Sequence, residues 1–221
     1  MKLTIGFSTC PNDTFIFDAL INKKINTEGL EFEPFLADVE DLNQRALNGA
    51  LDITKVSYHA FLYARSTYRP LNAGSALGHN CGPLLISKKS VDVHALPSHR
   101  IAIPGTYTTA NLLLQFYLGR KSEARPLIFS DIESALLEER FDAGVIIHES
   151  RFTYAQKGLR KLVDLGEFWE SKTHLPVPLG AIVIRKSLGP DLHSVVDRLL
   201  RKSTSDNAVV RSSWLYSQCS N

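Results

Sequence analysis

A chain of 221 residues, 44% hydrophobic and 22% charged, is long enough to bury a real core, as one large domain or two small lobes. Its formal net charge is +2, and Lys and Arg are scattered rather than arrayed in a stripe, which argues against nucleic acid as partner and for a small molecule. No apolar run approaches the ~20 residues needed to span a bilayer, so no membrane partner is expected.

The first predicted element is an apolar strand over residues 3–7, beginning with no charged head, apolar stretch and cleavage site before it, so export is not expected. A polar turn, Ser8-Thr9-Cys10, leads into a helix carrying Phe15 and Phe17, which Asn12 or Asp13 can cap. Asp38 opens a second helix over 39–48, where Leu42, Ala46 and Leu47 fall at helical spacing before Gly49. A strand over 51–57 follows, and His59 falls on the next helix.

The same order then returns. A strand over 101–104 is followed by a turn, a helix over 109–118, a helix over 132–140 and a strand over 142–148. Two further segments echo one another, Gly82-Pro83-Leu84-Leu85-Ile86-Ser87-Lys88-Lys89-Ser90 and Gly180-Ala181-Ile182-Val183-Ile184-Arg185-Lys186-Ser187. They read as paired crossover strands of a hinge. The expected fold is α/β with largely parallel strands and two lobes, residues 1–88 plus 185–221 forming lobe one and 89–184 lobe two. An amphipathic helix over 192–200 follows the second crossover, and 202–221 turn polar and aperiodic, with Trp214 and Tyr216 among serines.

Matching strand ends in two lobes wound alike are expected to face one cleft, with Ser57 and His148 on opposite walls. In open α/β sheets ligands bind beyond the carboxyl ends of strands, often at helix N-termini. Gly105-Thr106-Tyr107-Thr108-Thr109-Ala110 makes such a place: its helix leaves the first amides unpaired, and Thr108 and Thr109 add hydroxyls for a substrate carboxylate. The equal alternative is that Thr108 does no more than cap its own helix. The Thr9-Cys10-Asn12 turn is the matching place in lobe one. Cys10 is a possible nucleophile, though no His is adjacent in sequence. Lys55 lies two positions before Ser57, so both are expected on one strand face. Ser57 lacks a Gly-x-Ser-x-Gly elbow and reads as a binding hydroxyl. His148 ends an apolar strand and precedes Glu149, Ser150 and Arg151; with an ordinary pKa of about 6.5 it suits a general base. His94, His99 and His193 read as surface residues. No pair of histidines has metal-ligand spacing, so no metal is expected. Cys10, Cys81 and Cys219, odd in number and without a Cys-x-x-Cys, suit reduced thiols in a cytoplasm.

Four segments, Phe7-Ser8-Thr9-Cys10-Pro11-Asn12-Asp13-Thr14-Phe15-Ile16-Phe17, Thr54-Lys55-Val56-Ser57-Tyr58, Thr108-Thr109-Ala110 and Ile146-Ile147-His148-Glu149-Ser150-Arg151-Phe152-Thr153-Tyr154, together resemble the 1,4-dihydroxy-6-naphthoate synthases of the futalosine route to menaquinone. The resemblance implies a fold similar to the type II periplasmic-binding proteins, with two lobes and a double hinge, in a cytoplasmic enzyme. It implies cleavage of cyclic dehypoxanthine futalosine to 1,4-dihydroxy-6-naphthoate and dihydroxyacetone without metal or organic cofactor. By the family pattern His148 is the proton acceptor, Lys55, Val56 and Ser57 bind substrate from one lobe, and Thr108 and Thr109 from the other. The chain departs at Thr9, where the family usually has Pro, and near Ser203, beyond which family members continue through further helices; a truncation or shifted reading frame is expected there. The alternatives are a non-catalytic small-molecule-binding protein of the same fold and the related chorismate dehydratase, against which Cys10-Pro11-Asn12-Asp13 favours the synthase. Oligomeric state is not assigned.

Overall fold

The computed structural model describes residues 1–92, 96, 99–121 and 123–206. They fall into two compact units, Met1–Ala76 with Gly180–Asn221, and Leu77–Leu179. In chain order the first unit contributes β1 (Lys2–Phe7), α1 (Pro11–Ile21), β2 (Glu31–Leu36), α2 (Val39–Leu47), β3 (Ile53–Ser57), α3 (Tyr58–Ala64) and β4 (Tyr68–Pro70). A short strand β5 (Ala76–Gly78) stands at the passage. The second unit holds β6 (Leu84–Ser87), β7 (Ile101–Ile103), α4 (Thr109–Leu118), β8 (Arg125–Pro126), α5 (Ile132–Leu137), β9 (Ala143–Ile146), α6 (Ser150–Thr153), β10 (Arg160–Asp164) and α7 (Leu165–Thr173). The chain returns along β11 (Val177–Arg185) and ends its described part in α8 (Pro190–Asp206).

The first sheet has the order β2-β1-β3-β11-β4. β1 pairs parallel with β2 and β3, and β11 lies antiparallel to β3 and β4. Leu3, Ile5, Phe7 and Ile53 pack with Phe17 and Leu20 of α1 and with Val196, Leu199 and Leu200 of α8. This burial orients α1, so its first turn sits where β1 ends. The second sheet has the order β10-β6-β9-β7-β8, with β7 parallel to β8 and β9 and β6 antiparallel to its neighbours. One core packs Leu85, Ile101, Ile103 and Val145 with Leu113 and Leu114 of α4. Another packs Ile86, Ala102 and Ile146 with Ile132 and Leu136 of α5. β6, β7 and β9 are buried along their whole lengths, the pattern of strands covered on both faces.

The α/β class is as expected, and the sheets are mixed rather than largely parallel. The two echoed segments also take different parts. β6 is an interior strand of the second sheet, whereas residues 180–185 of β11 belong to the first, so the units divide after Ala76 and after Leu179, earlier than the 88/89 and 184/185 boundaries that the echo predicts. A basic-Ser exit marks the end of both strands without marking the passage between units.

The last helix runs past the expected 200 to Asp206, because Ser203 is fully buried and donates its hydroxyl to Ile16 O at 2.6 Å. Polar residues thus continue a helix where loss of periodicity suggests its end; Trp214, Tyr216 and Cys219 lie outside the described residues, as does His94. His193, expected at the surface, is buried, and its Nε2 donates to Arg185 O at 3.0 Å.

Candidate active site

In the first unit the ends of β1 and β3 meet the start of α1. Pro11 opens α1 with Cys10 as N-cap, and no side chain caps the helix. Asp13, in the first turn, instead reaches back: its Oδ2 accepts Ser8 N at 3.1 Å and Ser8 Oγ at 2.8 Å. Its Oδ1 lies 3.2 Å from Lys55 Nζ, and both side chains are buried, 5% and 12% exposed. Lys55 Nζ also donates to Gly74 O at 3.4 Å. Gly180 pairs with Ser57 across the sheet, and a Cβ there would stand 3.3 Å from Lys55 Cε and 3.0 Å from Val56 O. Glycine at 180 therefore leaves the lysine stem its path.

The Cys10 thiol is half-buried and pushed above its ordinary 9.0, first by burial and next by the negative Asp13, while the Ser8 hydroxyl and Lys55 pull it down. At neutral pH it is a protonated thiol, a poor setting for a nucleophile. Thr9 and Asn12 are exposed.

Ser57 does not share a setting with Lys55. Its amide donates to Asn43 Oδ1 at 2.9 Å and its hydroxyl accepts Asn43 Nδ2 at 3.3 Å. The serine is thereby tied to α2, while Lys55 reaches α1. The hydroxyl hydrogen is left for an acceptor. The Val56 side chain is 1% exposed, so any contribution of Val56 to a ligand comes from its backbone.

In the second unit Thr108 is the N-cap of α4. Its Oγ1 accepts Asn111 N at 3.3 Å and donates to Gly105 O at 2.8 Å. Thr109 Oγ1 donates to Pro178 O at 3.1 Å and Leu179 O at 3.0 Å. Both hydroxyl hydrogens are committed within the fold, so neither is an added donor for a carboxylate. What α4 offers an anion is its first-turn amides, Thr109 and Ala110, which have no intrahelical acceptor.

His148 lies just beyond β9 and is exposed. Its φ is 56°, in the left-handed region where a non-glycine residue costs of order 1–3 kcal/mol and where strained residues gather at functional sites. The ring meets Phe129 edge-on at 5.3 Å. The turn that follows is anchored twice. Ser150 Oγ donates to Glu133 Oε2 at 3.3 Å, and Lys157 Nζ meets the same oxygen at 2.7 Å. Arg151 donates to Gly82 O and, at 2.7 Å, to Asp164 Oδ2. Glu133 reaches this place because α5 packs closely on β9: a Cβ on Gly144 would stand 2.7 Å from Ile132 Cγ2. Among the described residues no group of three or more His, Cys, Asp or Glu is gathered to hold a metal ion.

Asp13, Asn43, Glu133 and Asp164 are the site-supporting residues that sequence reasoning missed. Asn43 left a trace, since it sits beside Leu42 and within helical reach of Ala46, and all three are buried.

The profile of a family described as menaquinone biosynthesis matches residues 3–212. The chain belongs to the menaquinone-biosynthesis family. Within it, the chain is 44% identical over 201 residues to a 1,4-dihydroxy-6-naphtoate synthase of Thermus thermophilus, covering 91% of this chain and 72% of that one. It is 39% identical over 217 residues to the enzyme of the same name from Streptomyces coelicolor, covering 96% and 74%. This family member is also similar to the crystal structure of a protein from Archaeoglobus fulgidus, with a TM-score of 0.87, 36% identity and coverage of 93% and 76%. The alkanesulfonate-binding protein of Xanthomonas axonopodis pv. citri, bound to MOPS, has a TM-score of 0.71 at 14% identity with coverage of 91% and 72%. That likeness shows a fold like that of periplasmic binding proteins.

Proposed function

We propose that the protein is a carbon–carbon lyase that converts cyclic dehypoxanthine futalosine to 1,4-dihydroxy-6-naphthoate and dihydroxyacetone, with His148 as proton acceptor. The observation that carries the reading is the 44% identity to a relative named for that product, joined to an exposed histidine held at φ 56° beyond the end of β9. Removal of one proton from the spirocyclic substrate lets a carbon–carbon bond break and a ring become aromatic, so one base in a preorganised setting suffices and the reaction calls on no metal or organic cofactor. The base keeps the proton on an imidazole nitrogen and returns it to solvent.

In this reading Lys55, Ser57 and the Val56 backbone bind substrate from the first unit. The Thr109 and Ala110 amides, positioned by Thr108, receive an anionic group at the second. The proposal places the enzyme in the cytoplasm, in keeping with Cys10 and Cys81, neither of which is in a disulfide.

Mixing the purified protein with cyclic dehypoxanthine futalosine is expected to give naphthoate absorbance and dihydroxyacetone. Folded protein that yields neither overturns the reading. His148→Asn is expected to bind product and to lose turnover by about 10²–10⁴; turnover at the wild-type rate removes the base from His148.

A further inference from the structure

We infer that Asp13 is a positioning residue for substrate recognition, acting through its buried ion pair with Lys55. The inference rests on the proposed reading, in which Lys55 binds substrate.

A lysine ammonium is a compact charge on a flexible four-carbon stem with three donors and no geometry of its own. Left alone on β3 it would sample many rotamers and lose entropy on binding. Here two donors are spoken for, by Asp13 Oδ1 at 3.2 Å and Gly74 O at 3.4 Å, and they fix where the third points. The carboxylate is itself fixed. Its Oδ2 takes both the amide and the hydroxyl of Ser8, and it lies in the first turn of the 11-residue helix α1, where the dipole favours negative charge. The Ser8 hydroxyl in turn accepts Cys10 N at 3.4 Å.

A consequence follows for recognition. The Lys55 charge is balanced by a buried neighbour, so its remaining N–H attracts a substrate oxygen as a directed hydrogen bond more than as net charge. Asp13 then determines substrate affinity without touching the substrate.

The test uses the full chain and three variants, Asp13→Asn, Asp13→Glu and Lys55→Met, with the Asp13→Asn/Lys55→Met double variant. Asp13→Asn is expected to raise KM about tenfold with kcat within about threefold. Asp13→Glu keeps the charge and shifts it by one methylene, so it holds the fold if Asp13→Asn does not; a KM rise of about threefold or more is expected. Adding Asp13→Asn to Lys55→Met is expected to raise KM no further, since the lysine through which Asp13 acts is gone. Wild-type KM in both Asp13 variants, or full additivity in the double variant, overturns the inference. If the wild-type protein makes no product, the lyase reading fails by itself, and the same comparison is made on the dissociation constant for 1,4-dihydroxy-6-naphthoate, followed by its fluorescence. A wild-type protein that neither reacts nor binds this product overturns the inference as well.

Discussion

Arg151 reaches Asp164 across 2.7 Å, and the second oxygen of that carboxylate accepts the amides of Gly166 and Glu167 that open α7. The turn following His148 is thereby fastened to a helix cap. Asp164 is 8% exposed and Arg151 18%, so the pair works in a setting where solvent screens it little. Arg151 N also donates to His148 O at 3.3 Å, which links the anchor to the backbone of the strained histidine.

Breaking this anchor is expected to reach both stability and turnover. Arg151→Ala leaves Asp164 buried with its charge uncompensated except by the cap amides, a change that costs about 3 kcal/mol, read from urea denaturation. Arg151→Lys keeps the charge and loses the fork that serves Asp164 and Gly82 O together, so it falls between. Turnover is expected to drop in both, in the same order, with kcat affected more than KM because the loosened element carries the proposed base.

In the proposed reading the φ of 56° at His148 sets stability against function. His148→Gly removes the side chain that makes the left-handed region costly, so the variant is expected to be more stable by roughly 0.5–1 kcal/mol and to lose turnover. A variant that melts lower than wild type would mean that the edge contact with Phe129 outweighs the backbone relief. Melting temperature and kcat, measured on the same preparation, decide the matter.

The fold was legible where periodicity is strong, as in the helices over 39–48 and 109–118 and the apolar strands that became β1, β7 and β9. It was less legible at the passages between units, because β6 and β11 carry the same apolar run and basic-Ser exit while joining different sheets. The residues proposed to face ligand, His148 and Lys55 among them, are picked out by position at strand ends and by resemblance. Their supports are not. Asp13 and Glu133 look like ordinary first-turn acids of their helices, and only the packing of α1 and α5 against the sheets buries them beside Lys55 and Ser150. A carboxylate's charge is written in the sequence, whereas its partner depends on contacts across tens of residues. The partners of the Thr109 hydroxyl were hidden for the same reason, since Pro178 and Leu179 lie far along the chain, whereas the cap made by Thr108 is local and was one of its two readings.

Acid sensitivity has a nameable contributor in the second unit. Asp142 is held below its ordinary 3.8, chiefly by hydrogen bonding to Arg100, while partial burial works against this. A carboxyl whose pKa is depressed on folding adds stability that is fully present above the unfolded value and is lost as pH falls through the folded one. The Arg100–Asp142 contribution is therefore expected at neutral pH and to fade below 3.8. Asp142→Asn should flatten that part of the curve of urea midpoint against pH and leave the neutral-to-basic part in place. An unchanged acid limb would assign the loss to other carboxylates.

The two threonines at the start of α4 separate structural from ligand roles. Thr108→Ala deletes the cap that accepts Asn111 N and is expected to cost about 1 kcal/mol, with Thr108→Ser close to wild type. Thr109→Val leaves Pro178 O and Leu179 O without their shared donor and costs about 1–2 kcal/mol, while Thr109→Ser keeps the hydroxyl. Because both hydroxyl hydrogens already serve backbone carbonyls, KM for the substrate is expected to stay within about twofold of wild type in the variants that remain folded. In the proposed reading the anion contact falls to the Thr109 and Ala110 amides, which these substitutions leave in place. A KM rise of tenfold or more in Thr108→Ala, at a temperature where the variant is fully folded, would instead make the hydroxyl itself a substrate ligand, released from Gly105 O when substrate arrives.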